Sequence, residues 1–150
     1  MLRSAVAFRA RLSAAQKIGL LLAAISYILA GVLHFIQTDA YLRIMPPYIP
    51  AHLFMVRASG VCEILGGFGL LIPQARRAAA WGLVALLVAV FPANIYMATN
   101  PMNTGAASIA PALLWGRLAV QPFLIWWVLW CTNLRVTFGD KRYWPQMNAD

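Results

Sequence analysis

Glu63 is a residue type that could do chemistry in a setting where it is rarely found. It lies inside the apolar run 61–72, which is long enough to be embedded in lipid. An acidic side chain at the bilayer centre costs roughly 2.5–3.5 kcal/mol, so it normally faces the interior of a bundle and has a partner there. The other acidic residues, Asp39, Asp140 and Asp150, fall in loop or tail sequence. Glu63 therefore predicts a polar site within a membrane protein.

Further polar residues gather near one predicted end of the apolar segments. Arg117 and Gln121 are four residues apart and share one helix face. Measured from that end at about 1.5 Å per residue, the whole set lies between ~3 Å and ~15 Å deep. We expect a ligand-binding or proton-relay pocket in which Glu63 is neutralised by Arg117 or Arg57 and His34 transfers protons. The predicted site residues are His34, Arg57, Glu63, Asn94, Arg117 and Gln121.

The same residues also have a purely structural interpretation. Interhelical ion pairs and amide side chains can simply hold a bundle together, and glycines such as Gly60 and Gly66 allow close packing. Pro92 frees a backbone carbonyl one turn earlier, and Asn94 either satisfies such a group or points into the pocket. The sequence alone does not distinguish a binding site from polar contacts that only stabilise the bundle.

The numbers and positions of the His, Glu and Cys residues do not favour a haem site, a metal site or a disulfide. Haem needs axial ligands at matched depth, and His34 and His52 do not meet that requirement. One Glu and one His are too few ligands for a divalent metal, so no metal site is expected. Cys62 and Cys131 lie at different predicted depths, so we expect two buried, unpaired thiols and no disulfide.

Composition defines the elements that must position these residues. The chain has 150 residues, of which 62% are hydrophobic and 11% charged, which predicts a single integral membrane domain over residues 1–150. Each of its apolar segments would be roughly 28–33 Å long as a helix, which matches a bilayer core. The short connector 73–77 requires the second and third helices to be antiparallel neighbours. We therefore predict an all-α, antiparallel bundle of transmembrane helices near 18–36, 52–72, 76–97 and 111–131.

The distribution of charge predicts the orientation of the bundle. Basic residues occupy the leader 1–17, the connector and the tail 132–150, whereas the loop 98–110 carries no charge. The positive-inside rule then places the N-terminus and the C-terminus in the cytoplasm. The net charge of +8 is explained by topology and the lipid bilayer, so a nucleic-acid partner is not expected. The leader is either an interfacial helix or a frayed segment, and the proline-rich loop 37–51 is expected to be a stiff, extended cap.

Four stretches along the chain carry a family resemblance: Ala30-Gly31-Val32-Leu33-His34-Phe35, Ser59-Gly60-Val61-Cys62-Glu63-Ile64-Leu65-Gly66-Gly67, Phe91-Pro92-Ala93-Asn94 and Arg117-Leu118-Ala119-Val120-Gln121. With them the chain resembles the DoxX-like family of small bacterial membrane proteins over about residues 26–132. Each stretch that carries the resemblance is short, but together they cover all the predicted helices. One departure is Ala119, where the family pattern leads us to expect proline.

The resemblance implies a protein of the bacterial cytoplasmic (inner) membrane that is linked to thiosulfate:quinone oxidoreductase or to thiol-stress proteins. We accordingly expect a quinone-interacting subunit in which Arg117, Gln121 and His34 bind quinone carbonyls and Glu63 relays the proton. The sequence carries no flavin, haem or cluster motif, so electrons would come from a soluble redox partner and the chain alone would not be a complete enzyme. Homo-oligomerisation is compatible with this expectation. Two alternatives stay open, a carrier for a small molecule or lipid and a scaffold for a soluble partner.

Overall fold

The computed structural model describes residues 12–105 and 109–134, and within these ranges the regular structure is entirely helical. Four of the helices are long and apolar enough to cross a membrane, which confirms the predicted all-α bundle of four candidate spans. The orientation of the two termini across the membrane stays a prediction. The helices are α1 (Ala14–Ile36), α2 (Thr38–Arg43), α3 (His52–Leu71), α4 (Arg76–Thr99) and α5 (Pro111–Cys131).

The four long helices form a closed ring. Helix α1 packs against α3, α3 against α4, α4 against α5, and α5 returns to α1, with the largest interface between α1 and α3. The predicted hairpin between α3 and α4 is confirmed by a tight turn in which the N–H groups of Ala75 and Arg76 donate to the Ile72 carbonyl at 3.1 and 2.9 Å. We call the end of the bundle where α1 ends and α3 begins the α2 end, and the other the opposite end.

Helix α1 begins before the apolar run that predicted it. Ser13 and Gln16 form a capping box, in which the Gln16 N–H donates to the Ser13 hydroxyl at 3.2 Å and the Ser13 N–H donates to the Gln16 side chain at 2.9 Å. The Gln16 amide also donates to the Trp130 carbonyl at 3.0 Å, which joins the start of α1 to the end of α5. The last residues of the predicted leader are thus helical, while residues 1–11 lie outside the described part of the chain.

The loop 37–51 is only partly the extended segment that its prolines predict. Its first half forms α2, which packs on α3 and α1, so the prediction was wrong there. The prolines act further along, where Pro46 is fully buried and its carbonyl accepts a hydrogen bond from the His52 ring at 3.0 Å. Because the prolines all follow residue 45, they disfavour helix only after α2 has ended. The loop does cover the α2 end of the bundle.

Glycines bring the backbones of α1 and α3 into contact. A Cβ atom on Gly31 would lie 2.6 Å from the Gly60 carbonyl oxygen and 3.0 Å from the Ile64 nitrogen. A Cβ atom on Gly60 would lie 2.7 Å from the Cβ of His34. Small residues commonly permit such close approach between membrane helices, where water does not drive association.

The outer surface of the ring is apolar, and the interior of its opposite end is densely packed. Exposed side chains such as Ile18, Leu65 and Val88 face outward, as expected for a surface in contact with lipid. The core at the opposite end is formed by small and branched residues of all four long helices, including Ala23, Ala24, Leu70, Leu83 and Val128. The fold is therefore that of a membrane protein.

The two cysteines are unpaired, but they differ in environment. Cys131 is fully buried, as predicted, whereas Cys62 is exposed on the outside of α3. The prediction that Cys62 is buried was therefore wrong, because it sits one residue before Glu63 and so points away from the interior that Glu63 faces.

We predict that Gly31→Ala destabilises the protein by about 1–3 kcal/mol, because the added methyl group meets the backbone of α3. The measurement is the free energy of unfolding in lipid nanodiscs or detergent. Gly82→Ala is the matched control, because a Cβ atom there meets no other atom within 4 Å. Equal effects of the two substitutions would contradict the close packing of α1 on α3.

Candidate functional site

A close contact inside the bundle joins His34 and Glu63, and it is an ion pair when the imidazole is protonated. The His34 Nδ1 atom lies 3.2 Å from a carboxylate oxygen of Glu63 and 3.0 Å from the Ala30 carbonyl oxygen. The two side chains are 9% and 14% exposed, so Glu63 faces the bundle interior. Side chains on a helix lean toward its N-terminus, and this direction carries the Glu63 carboxylate toward the α2 end, where His34 lies.

The prediction that Arg117 or Arg57 neutralises Glu63 was wrong. Among the described residues, the ion pair of Glu63 is with His34, and both arginine side chains are exposed. Arg57 precedes Glu63 by six residues and therefore points to a different side of α3. Arg117 lies on α5, which is diagonal to α3 in the ring and does not pack against it.

Tyr41 covers the ion pair from α2. Its ring stacks on the His34 ring with centroids 3.8 Å apart and an angle of 23° between the planes. Burial raises the pKa of Tyr41, the Glu63 carboxylate raises it further, and the Arg117 guanidinium partly opposes both. The Tyr41 hydroxyl therefore stays protonated at neutral pH. No pattern in the sequence predicts this contact, because none predicts α2.

Two buried oxygen atoms near the ion pair lack a hydrogen-bond partner within the described residues. One is the Tyr27 hydroxyl, and the other is the Glu63 oxygen that faces His34 outside hydrogen-bonding geometry. Tyr27 precedes His34 by two helical turns on the same face of α1, a spacing that could have revealed it, and it is close enough to interact electrostatically with Glu63. Each unsatisfied buried group costs about 1–3 kcal/mol. The Tyr27 hydroxyl and the Glu63 oxygen are therefore available to bond a proton or a polar ligand atom.

A second polar cluster links α4 to α5. The Asn94 amide donates to the Gln121 side-chain oxygen at 3.0 Å, and the buried Gln121 amide donates to the Leu87 carbonyl. Pro92 lacks the N–H that would bond the Val88 carbonyl, so α4 lacks one backbone hydrogen bond at this turn although the helix continues through it. Gln121 binds the α4 backbone at Leu87, one residue before that carbonyl, and Asn94 bonds Gln121 and not the backbone.

A groove of about 490 Å³ runs beside this cluster on the surface of α4 and α5. Asn94, Arg117 and Gln121 supply its polar groups, and Leu113 and Val120, which are exposed to the lipid side, form part of its apolar wall. Arg117 has no ion-pair partner in the described part of the chain. The groove thus combines amide and guanidinium donors with a lateral opening to the membrane.

The predicted site residues fall into two groups at the α2 end. His34 and Glu63 form the interior pair, and Asn94, Arg117 and Gln121 line the groove. Arg57 joins neither group. Within residues 12–105 and 109–134, no three His, Cys, Asp or Glu side chains are arranged to hold a metal ion.

The fold and the interior ion pair define a membrane protein of the four-helix bundle class. The family described as a domain of unknown function, DUF8561, matches residues 22–132, which include α3, α4, α5 and most of α1. The chain therefore belongs to the DUF8561 family. No curated protein and no solved structure matches it.

We predict an energetic coupling between His34 and Glu63. In a double-mutant cycle of His34→Gln and Glu63→Gln, the coupling should be about 1–3 kcal/mol, the upper part of the range for residues in contact. The measurement is again the free energy of unfolding in nanodiscs or detergent. The matched cycle pairs Glu63→Gln with His52→Gln, because the His52 ring bonds Pro46, and its coupling should be close to zero. Equal couplings in the two cycles would contradict a specific pair.

We also predict that Gln121→Leu lowers the free energy of unfolding by about 1–2 kcal/mol, because it removes two interhelical hydrogen bonds in a membrane setting. Gln74→Leu, in the exposed turn between α3 and α4, serves as the control and should have little effect. If thermal unfolding in detergent shows no loss for Gln121→Leu, the link between α4 and α5 contributes nothing to stability.

Proposed function

We propose that this protein binds a quinone in the groove between α4 and α5 and acts as the membrane subunit of a redox system. The observation that carries the proposal is the lateral groove in which the exposed Arg117 stands beside the Asn94–Gln121 amide pair. A quinone has an apolar ring and tail, which remain in lipid, and two carbonyl oxygens, which accept hydrogen bonds. Its chemistry matches both parts of the groove.

The donors left in the groove suit quinone carbonyl oxygens. An amide group has two N–H donors, and the Gln121 amide gives one to the Leu87 carbonyl. The Asn94 amide likewise gives one to Gln121. The second N–H of each amide and the guanidinium of Arg117 can therefore serve a ligand. Leu113 and Val120 would contact the apolar ring and tail.

The His34–Glu63 pair supports a role in proton transfer at the same end of the bundle. Reduction of a quinone to a quinol takes up two electrons and two protons, so a binding site needs a proton source. The Tyr41 ring stacks on His34, and both Glu63 and Arg117 act electrostatically on Tyr41, so Tyr41 lies near both the pair and Arg117. In this proposal the electrons come from a redox partner, as the DoxX-like resemblance suggests, and this chain supplies the quinone site.

Location and orientation form part of the same proposal. In the bacterial cytoplasmic membrane, with both termini in the cytoplasm, the α2 end faces the outer leaflet. The groove then receives its ligand laterally from that leaflet. The sequence 98–110 carries no charge, which supports this orientation.

A second candidate function is a carrier for an anionic amphiphile. The observation that favours it is Arg117, a cation within a membrane span that has no carboxylate partner among the described residues. A guanidinium pairs well with a carboxylate or phosphate group, and in this case the ligand would carry the compensating charge.

The test is quinone binding by the purified protein in nanodiscs that contain a defined amount of ubiquinone or menaquinone. We expect Arg117→Gln and Asn94→Leu each to weaken binding by about 5-fold to 100-fold, which corresponds to about 1–3 kcal/mol for lost polar contacts. Arg57→Gln is the matched control, because it removes a cation that lies outside the groove and should leave binding unchanged. Bound quinone is quantified after extraction, and each variant is first checked for cooperative unfolding, which shows that it is folded at the temperature of the assay.

The alternatives give different results. An anionic amphiphile that is retained by wild type and lost in Arg117→Gln, with no quinone bound, would favour the carrier. A soluble protein retained equally by all variants, with neither ligand bound, would favour the scaffold and contradict the quinone proposal.

A further inference from the structure

A basic crevice lies at the opposite end of the bundle, far from the groove. It has a volume of about 660 Å³ and is bordered by the start of α1, the end of α3, the start of α4 and the residues after α5. All four candidate spans reach this level together, so in a bilayer the crevice lies at the depth of the lipid headgroups.

Positive charge dominates the crevice. Lys17, Arg76 and Arg77 line it, and no described acidic residue does. The acidic residues in the described part of the chain, Asp39 and Glu63, belong to α2 and to the interior pair, and neither forms an ion pair with these cations. The described residues therefore supply no negative charge that balances Lys17, Arg76 and Arg77 at this end.

The local structure holds this charge in place. The Nε atom of Arg76 donates to the Leu70 carbonyl at 2.8 Å, which fixes the guanidinium against the end of α3. Helix α4 begins at Arg76 without a side-chain cap and without an acidic residue in its first turn. The positive end of its dipole therefore adds to the field of the three cations.

The walls of the crevice are apolar and continue onto the membrane-facing surface. Leu21 is 51% exposed and Leu71 is 40% exposed, and both line the crevice as well as facing outward. A free phosphate ion would use only the cations. A molecule with both a phosphate group and hydrocarbon chains would use the cations and the apolar walls together.

We propose that this crevice is a binding site for an anionic phospholipid, with the headgroup phosphate held by Lys17, Arg76 and Arg77 and the acyl chains lying along Leu21 and Leu71. Basic pockets between membrane helices are suited to such headgroups. The site is separate from the α4–α5 groove and does not depend on what that groove binds.

The test is native mass spectrometry of the full chain released from nanodiscs of phosphatidylcholine that contain a minor fraction of phosphatidylglycerol. Wild type should retain phosphatidylglycerol in preference to phosphatidylcholine. Lys17→Gln and Arg77→Gln should each lower this preference by about 5-fold, the effect of one basic residue near a membrane surface. Arg43→Gln is the matched control, because it removes one cation at the α2 end.

Two further measurements make the result decisive. Each variant must keep the wild-type unfolding temperature in phosphatidylcholine alone, and Arg76 is left intact because it also bonds the end of α3. Equal retention of phosphatidylglycerol by all forms, or an equal loss in Arg43→Gln, would overturn the proposal. It would also be overturned if millimolar inorganic phosphate displaced the lipid completely, because the crevice would then be a site for a free anion.

Discussion

The rest of the structure depends on the close approach of α1 to α3 at Gly31 and Gly60. A single methyl group at Gly31 would lie 2.6 Å from the backbone of α3, so the two helices are as close as their main chains allow. This approach brings His34 within 3.2 Å of the Glu63 carboxylate and buries both side chains. In lipid, helices associate through such packing and through interhelical polar contacts. The glycines are therefore a condition for the ion pair.

The bundle divides into a packed half and a polar half. Small residues such as Ala23 and Ala24 fill the opposite end, where all four long helices meet. The α2 end instead contains the His34–Glu63 pair, with an unsatisfied buried oxygen on Glu63, and a proline, Pro92, that removes one backbone hydrogen bond from α4. These features reduce stability, whereas an apolar core would increase it. Their concentration at one end is what supports a binding function there.

The sequence predicted the helices well because long apolar runs and charged connectors are strong signals in membrane proteins. It missed α2, since six residues with no apolar run carry little periodicity. It also placed the wrong partner beside Glu63. Opposite charge favoured an arginine as the partner of Glu63. The actual partner depends on which helices are adjacent, and α5, which carries Arg117, is diagonal to α3. The order of helices around a ring is set by long-range packing, which spacing along the chain does not encode.

The measurement that tests this account most directly is a solid-state NMR distance experiment in lipid bilayers. Protein labelled at the Glu63 carboxyl carbon and the His34 ring nitrogens should show a strong carbon–nitrogen dipolar contact, as the 3.2 Å separation of oxygen and nitrogen requires. The contact should disappear in His34→Gln. Absence of the contact in wild type, together with transfer of magnetisation from lipid acyl chains to Glu63, would place the carboxylate on the outside of the bundle and contradict the account.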